Sequence, residues 1–493
     1  MRTARILAIL ALWMLALTPA THAQAPPPTP PPTTTPSPAP MPPATPPAAP
    51  PATTQPLIIT PPPASAVTPV PAPGTPVMER VLGRALSVDE AVAIALETQP
   101  AIQARLADYQ AAASRVDQVF SPLLPQLNGF VGAARNQTAQ STRRLDPFDP
   151  RTSNSTLTSI KPFGESLTAT VTLSQKIFDF GKTFASTEAA RRLAEVAQED
   201  VELQRQAVTF LVKQNFILIN FAQRLIRVQE QSLERADLNL RSARGFFEVG
   251  TRPKSDVARA EVDVANAQVD LIRARNAERV ARAALNTAMG IAVDTPTQVQ
   301  DILFYQKIQL DPRQLQAQAL AQRPEYKQIR LRVAQTEAQL RRANRDFLPD
   351  VTGTGTYGGI RNDLNEVWEI GVALTWNMFD GGNMIAQVRE KRALVESAKA
   401  QVKVTELNIA QEVEQTYLVV NEAEQRIAAT QTAVASAQEN FRLAQGRFDA
   451  GVGTILELTD AQLFLTQAQN EEARALADYR VALAALERAT GRR

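Results

Sequence analysis

Residues 167–174 read Leu167-Thr168-Ala169-Thr170-Val171-Thr172-Leu173-Ser174, apolar and hydroxyl side chains in unbroken alternation. Successive side chains of a strand point to opposite faces, so this stretch presents one apolar and one hydroxylated face. A second stretch, Trp368-Glu369-Ile370-Gly371-Val372-Ala373-Leu374-Thr375-Trp376, puts its large residues on one face and small or polar ones on the other. Residues 126–135 and 351–357 are the weaker partners that complete two hairpins. Strands of about ten residues, apolar on one side and polar on the other, suit a membrane β-barrel. Trp368 and Trp376, near the two ends of one strand, stand where aromatic girdles meet the lipid interface. A half-buried sheet covered by helices would alternate in the same way. An export signal, together with the lack of any later apolar run long enough to span a bilayer as a helix, favours the barrel.

Four strands cannot close. Open edges in lipid leave amides unpaired, and bacterial membrane barrels start at about eight strands. The chain is therefore expected to oligomerise in the membrane, as a dimer with eight strands or a trimer with twelve. Eight leave an interior filled by side chains, so an open conduit requires the larger number.

Outward from the strands, the chain repeats itself. Ala95-Leu96-Glu97-Thr98-Gln99-Pro100 recurs as Ala319-Leu320-Ala321-Gln322-Arg323-Pro324, and Leu124-Pro125 as Leu348-Pro349, both at an offset of 224. Further on the offset is 201: Phe178-Asp179 matches Phe379-Asp380, Gly250 matches Gly451, and Gly290 matches Gly491. The first repeat thus carries 23 additional residues within its hairpin, in a polar segment over 136–166 that reads as a longer surface loop. The period is far too long for a solenoid unit. One architecture is built twice.

Each repeat gives a helix ending at Leu-Pro, two strands, a very long helix, a glycine turn and a returning helix. The first long helix is expected over 186–248, with a heptad seam at Leu193, Val196, Leu203, Ala207, Phe210, Ile217, Phe221 and Val228. The last helix carries Ala461, Leu465, Ala468, Ala475, Tyr479, Ala482, Leu486 and Ala489 on one stripe. At 1.5 Å per residue the long helices reach about 95–100 Å. In each repeat two shorter helices, 100–121 with 255–289 and 324–347 with 454–490, sum to nearly that length. A layer of helices follows, some continuous and some stacked end to end.

Residues 1–23 follow a secretory signal: Arg2 and Arg5, an apolar run from Ile6 to Leu17, then Thr21-His22-Ala23 at the cleavage end. Residues 24–78 are mostly Pro, Thr and Ala, a composition for polyproline II or disorder. This segment reads as a spacer or tether. Two structural repeats follow, 79–310 and 311–493. With no Cys there is no disulfide, thiolate nucleophile or cysteine-ligated metal, and the lone His22 lies in the signal. The mature chain then has no imidazole for a Ser-His-Asp triad or a metal. Lys+Arg at 52 against Asp+Glu at 50 argues against a nucleic-acid partner. Neither a catalytic set nor a cofactor site is expected. Gly353-Thr354-Gly355-Thr356-Tyr357-Gly358 fits G-x-G-x-x-G letter for letter, but it lies within an alternating strand rather than opening a helix.

Taken in order, Leu86-Ser87-Val88-Asp89-Glu90-Ala91 with Pro100, Ser121-Pro122-Leu123-Leu124-Pro125-Gln126-Leu127, Phe379-Asp380-Gly381-Gly382 and Phe448-Asp449-Ala450-Gly451 resemble the TolC family of outer-membrane channel proteins. The resemblance spans about residues 86–491. It implies a homotrimer with a 12-stranded barrel in outer-membrane lipid, above a helical tunnel through the periplasm. The tunnel would dock an inner-membrane transporter through a periplasmic adaptor protein. Pro125 and Pro349, with Gly181 and Gly382, would mark the helix–strand junctions, and Gly250 and Gly451 the periplasmic tip. Asp256 follows the first turn. In the family, acidic residues just past the second turn narrow the tunnel entrance, and Glu457 and Asp460 occupy that place here. Such a ring favours cations, whereas acidic residues at a helix start also suit the helix dipole alone. An aromatic hydroxyl and an arginine that help latch the family's closed tip are replaced by Phe448 and Gly453. The latch is then either absent or supplied by Arg252 and Lys254 of the first repeat. The competing reading is a periplasmic coiled-coil adaptor or structural protein without a barrel, which leaves four amphipathic strands unexplained. Within the channel reading, drug efflux, metal efflux and protein secretion share one duct, its cargo selected mainly by the pump.

Overall fold

The computed structural model describes residues 81, 83–136, 139–140, 159–160, 164–360 and 365–492. The export signal, the proline-rich tract and most of the 136–166 segment lie outside the described residues, as does the end of the second hairpin. The elements run β1 (Ala85–Leu86), α1 (Val88–Thr98), α2 (Pro100–Phe120), β2 (Gln126–Asn136), β3 (Ala139–Gln140), β4 (Ser159–Ile160), β5 (Gly164–Phe178), α3 (Lys182–Glu248) and α4 (Lys254–Met289). β6 (Gln298–Val299) ends the first repeat, and the second adds α5 (Pro312–Gln322), α6 (Pro324–Arg345), β7 (Asp350–Ile360), β8 (Asn365–Thr375), α7 (Asn383–Asp449) and α8 (Ile455–Ala489).

Both long helices, α3 and α7, have 67 residues, about 100 Å at 1.5 Å per residue. Each starts after a glycine in the left-handed region, Gly181 (φ 82°) and Gly382 (φ 89°), with Asp179 and Asp380 carboxylates accepting from Thr183 N (2.7 Å) and Met384 N (2.9 Å). Alongside α3, the end of α4 meets the start of α2. There Thr98 Oγ1 donates to Met289 O, and a Cβ on Gly290 would lie 3.1 Å from Gln99 Cα. The second repeat builds the same joint, where a Cβ on Gly491 would lie 3.1 Å from Arg323 N. Both glycines also hold positive φ, 73° and 78°. Left-handed backbone and close approach together require glycine there, which explains why it recurs at the 201 offset.

Side by side, α2 and α4 flank α3, then α6 and α8, then α7. Two apolar clusters repeat the pattern: Leu86, Ile94, Val212, Phe216, Ile219, Leu285 and Met289 in one, Leu315, Val413, Val420, Ile427, Tyr479 and Leu486 in the other. The α8 stripe is buried at every predicted position except Ala468, which is half-buried. The α3 seam is less faithful. Val196, Ile217 and Val228 are buried, Leu203, Ala207, Phe210 and Phe221 are half-buried, and Leu193 is exposed. Neighbours on both sides of α3 spread its burial over two faces, so one heptad line cannot describe it.

The four-stranded sheet has order β2-β5-β7-β8, antiparallel throughout. Strands β5 and β7, from different repeats, join the two hairpins, with a bulge between Lys176 and Phe178. Strands β2 and β8 each keep one free edge. β5 is longer than expected because it has a partner on both sides, and β7 reaches Ile360 so that Gly358 and Gly359 belong to the strand rather than to a loop. Within the 136–166 segment the described residues include β3 and β4, which pair beyond β2 and β5.

Two short helices, α1 and α5, stand outside the expected set. The first has a complete capping box: Glu90 N donates to Ser87 Oγ and Ser87 N to Glu90 Oε2. Ser87-Val88-Asp89-Glu90 was the available signal. For α5 it was Asp311 before Pro312, whose carboxylate accepts from Arg313 N at 3.0 Å.

Candidate functional site

Strand register sorts the sheet into two faces. Opposed residues share a face, so Leu127, Val131, Ala169, Val171, Leu173, Tyr357, Trp368, Ile370, Val372 and Leu374 lie together. They are apolar and, except for half-buried Ala169, exposed, Ile370 at 81%. Asn128, Thr168, Thr170, Thr172, Ser174, Thr352, Thr354, Thr356, Glu369 and Thr375 line the other face, where Thr172 Oγ1 and Thr356 Oγ1 share a hydrogen bond of 3.2 Å. Along β5, from Leu167 to Phe178, about 3.4 Å per residue at a tilt of about 40° gives an apolar band roughly 25–28 Å tall. That is the height of a hydrocarbon core. Tyr357, between Val171 and Trp368, lies in its upper half, and Phe178 with Trp376 marks the lower end. Trp376 Nε1 donates to Phe347 O at 3.0 Å, fixing the ring at the junction. No described helix is long and apolar enough to cross a membrane.

The glycine-rich stretch 353–358 lies within β7, flanked by strands on both sides, so the geometry of a phosphate loop is absent. A Cβ on Gly358 would stand 2.1 Å from Ala169 O and 2.6 Å from Thr170 Cα. Glycine there permits the close β5–β7 approach that joins the repeats. Pro125 and Pro349 each stand directly before a strand, β2 and β7. At the junction Lys182 Nζ reaches Leu348 O (2.7 Å) and Asp350 (2.8 Å), and Arg345 donates to Gly181 O (2.6 Å).

At the far end, α3 turns into α4 at Gly250 (φ 74°) and α7 into α8 at Gly451 (φ 77°). Phe448 is fully buried in an edge-to-face contact with Phe246 at 5.7 Å. Arg252 lies over the Phe448 ring (4.6 Å) and near Phe246 (6.0 Å), donates to Gly453 O (2.5 Å) and pairs with Asp256 (3.7 Å). Both charged side chains are mostly buried, 14% and 16% exposed. A Cβ on Gly453 would fall 2.9 Å from Phe448 N, so the turn that presents this carbonyl needs glycine. Thus Arg252 takes part in a contact between the two turns. Among the described residues Lys254 makes no hydrogen bond or ion pair between the turns.

Glu457 occupies the first turn of α8, capped by Thr454 (Glu457 N to Oγ1, 3.2 Å), and its carboxylate lies 3.6 Å from Arg447. Asp460, one turn on, is exposed. Asp256 turns inward to Arg252. Sequence reasoning missed the polar seam above the tip, where α3 meets α8. Asn239 donates to Gln462 (2.8 Å), Gln462 to Ser232 O (3.1 Å) and Arg235 to Gln469 (3.3 Å). Burial lowers the Arg235 guanidinium from its ordinary value, against Glu234, which raises it. Polar residues at Ser232 and Asn239, between apolar Val228, Ala236 and Ala243 on one α3 stripe, were the readable signal. No group of His, Asp or Glu suited to a metal ion occurs among the described residues.

An amphipathic sheet with two open edges, carried on helices of about 100 Å, defines a subunit of a membrane-embedded duct. The family model described as "Outer membrane efflux protein" matches residues 91–291 and 315–492, both repeats. The chain belongs to that family, an outer-membrane channel protein of efflux and secretion. It is 26% identical over 424 residues to the alkaline protease secretion protein AprF of Pseudomonas aeruginosa, covering 82% of this chain and 84% of that one. With the outer membrane efflux protein BepC of Brucella suis it shares 24% identity over 332 residues, 66% of this chain and 72% of the other. The Campylobacter jejuni CmeC outer membrane channel superposes with a TM-score of 0.69 at 18% identity, over 82% of this chain and 85% of that one.

Proposed function

We propose that three chains close one 12-stranded barrel and a helical tunnel below it, forming a passive conduit without chemistry of its own. The observation that carries this is the sheet: apolar on one face, hydroxylated on the other, unpaired along β2 and β8. Because direction alternates across β2-β5-β7-β8, a second chain's β2 beside β8 is antiparallel again. This head-to-tail contact makes a ring when the rotation closes. The helices support the same ring. On one flank α4 exposes Val262, Val269, Ile272 and Val280, and on the other α7 exposes Leu394, Val404, Leu407, Leu418 and Leu443. A neighbouring chain would bury both rows. Residues 79–310 and 311–493 are then two equivalent halves of each subunit, behind a removed signal (1–23) and a proline-rich segment (24–78).

In this arrangement Gly250 and Gly451 turn the chain at the periplasmic tip, and Glu457 and Asp460 face the entrance as a carboxylate ring. Arg252 holds the two hairpins of each chain together, the part that Phe448 and Gly453 cannot take. Pro125, Pro349, Gly181 and Gly382 switch the chain between helix and strand. Energy would come from an inner-membrane transporter acting through a periplasmic adaptor, with no nucleic acid or cofactor involved. Purified protein added to a planar bilayer should give discrete conducting steps. A protein that reaches the outer membrane but never conducts would contradict the conduit.

A further inference from the structure

Glu369 is the one ionised side chain on the polar sheet face, among the described residues, that has no opposite charge beside it. Lys176 and Asp350 share that face at its lower end, but they pair with each other at 3.8 Å. Glu369 stands opposite Thr356, which stands opposite Thr172 and, across β5, Asn128, so its own layer offers hydroxyls and an amide. The layer above, Phe130, Thr170, Gly358 and Val367, offers no cation either. Glu369 is exposed, and β8 is an edge strand. Whatever strand closes over that edge decides whether the charge is neutralised. If it is β2 of a second chain, positions 126–134 bring Gln126, Asn128, Phe130, Gly132 and Ala134 to this face. None is basic, so among these described positions no register of the joint pairs the carboxylate.

We infer that Glu369 is a specificity-determining residue of the pore within the barrel, setting a preference for cations in the membrane segment itself. The inference rests on the three-chain reading. Twelve strands spaced at ~4.8 Å and tilted by ~40° give a wall of radius about 12 Å. A glutamate reaching about 5 Å inward leaves three carboxylates about 7 Å from the axis. In water, with a Debye length of ~8 Å, they enrich a monovalent cation on the axis about three- to fourfold. At 1 M salt, where the length falls to ~3 Å, the enrichment drops to about 1.3-fold.

The test is the reversal potential of single pores in planar bilayers under a KCl gradient. Glu457→Ala/Asp460→Ala serves as the background, so that the tip contributes no carboxylate in series. Adding Glu369→Gln should lower the potassium-to-chloride permeability ratio about tenfold at low salt, the cation's enrichment multiplied by the anion's depletion, and less than about twofold at 1 M. Glu369→Lys should invert the preference. A conducting pore whose low-salt ratio is the same with Glu, Gln and Lys at 369 overturns the inference alone. A background protein that forms no pore at all overturns the three-chain conduit, and this inference with it.

Discussion

Removing the Arg252 guanidinium should loosen the two hairpins at the tip of each chain. Two of its contacts cross from the α3–α4 turn to the α7–α8 hairpin: the hydrogen bond to Gly453 O and the stacking over Phe448. A hydrogen bond from a charged donor contributes about 1.5–3 kcal/mol, and a partly desolvated cation–π contact about 0.5–2 kcal/mol. The ion pair with Asp256 stays within one hairpin; it orients the guanidinium and adds nothing across the gap. Arg252→Ala therefore costs about 2–5 kcal/mol of coupling, a shift of about 30- to 4,000-fold towards separated hairpins. The seam above adds little to oppose this, because Asn239, Gln462, Arg235 and Gln469 exchange hydrogen bonds for water when they part. Arg252→Lys keeps the charge but loses the planar stack, and should fall between. The chain has no Cys, so spin labels placed at Thr251 and Val452 report the distance between the turns without background. The alanine variant should show a longer, broader distance distribution and larger single-channel conductance. Unchanged distances and conductance would refute the assignment of the latch to Arg252.

Glu457→Ala/Asp460→Ala should raise conductance and weaken cation preference; unchanged values would reduce both carboxylates to helix-start chemistry. Gly358→Val should stop the oligomer forming, because its Cβ meets Ala169 O at 2.1 Å, whereas Gly355→Ala, with nothing within 4 Å, should assemble normally on native gels. Arg323→Ala removes a guanidinium only 6% exposed that holds Glu325 (3.0 Å) and Glu412 (2.5 Å). The two carboxylates are 29% and 44% exposed and can rehydrate, so the loss is that of a charged hydrogen bond, about 1.5–3 kcal/mol, read as a lower unfolding midpoint in denaturant. Tyr305 donates to Glu424 at 2.7 Å, and that hydrogen bond pushes the phenol up to about 12 from 10.0. A raised value stabilises the fold below the unfolded value and loses that contribution as pH rises through the folded one. Tyr326, bonded to Glu406, and buried Tyr479 are raised as well, so ultraviolet titration should show several late tyrosines, of which Tyr305 moves back furthest with Glu424→Gln.

Much of this architecture was legible because it is written twice. Gly290 and Gly491 both close a joint between stacked helices, and Phe178-Asp179 and Phe379-Asp380 both precede a glycine-started helix. The alternation of 167–174 and 368–376 located two strands, but their ends depend on pairing that no single strand encodes. Thus β5 runs on to Phe178 because β7 holds that end, and back to Gly164 because β2 holds the other. The α3 seam blurred because a helix with neighbours on two sides has no single buried line. At the tip, the sequence showed that Phe448 and Gly453 cannot latch by hydroxyl and guanidinium. It could not show that Gly453 would offer its carbonyl to Arg252, since that contact joins residues 201 apart. The α3–α8 polar seam was hidden for a related reason: Ser232 and Asn239 look solvent-facing until a second polar helix is placed against them.

In the proposed conduit, four strands become a barrel only by closing with other chains. The native mass of the detergent-extracted outer-membrane protein is the decisive measurement. A particle of three chains that inserts into bilayers as a conducting pore is expected. A monomer, or a species found only in the soluble periplasm, would contradict it.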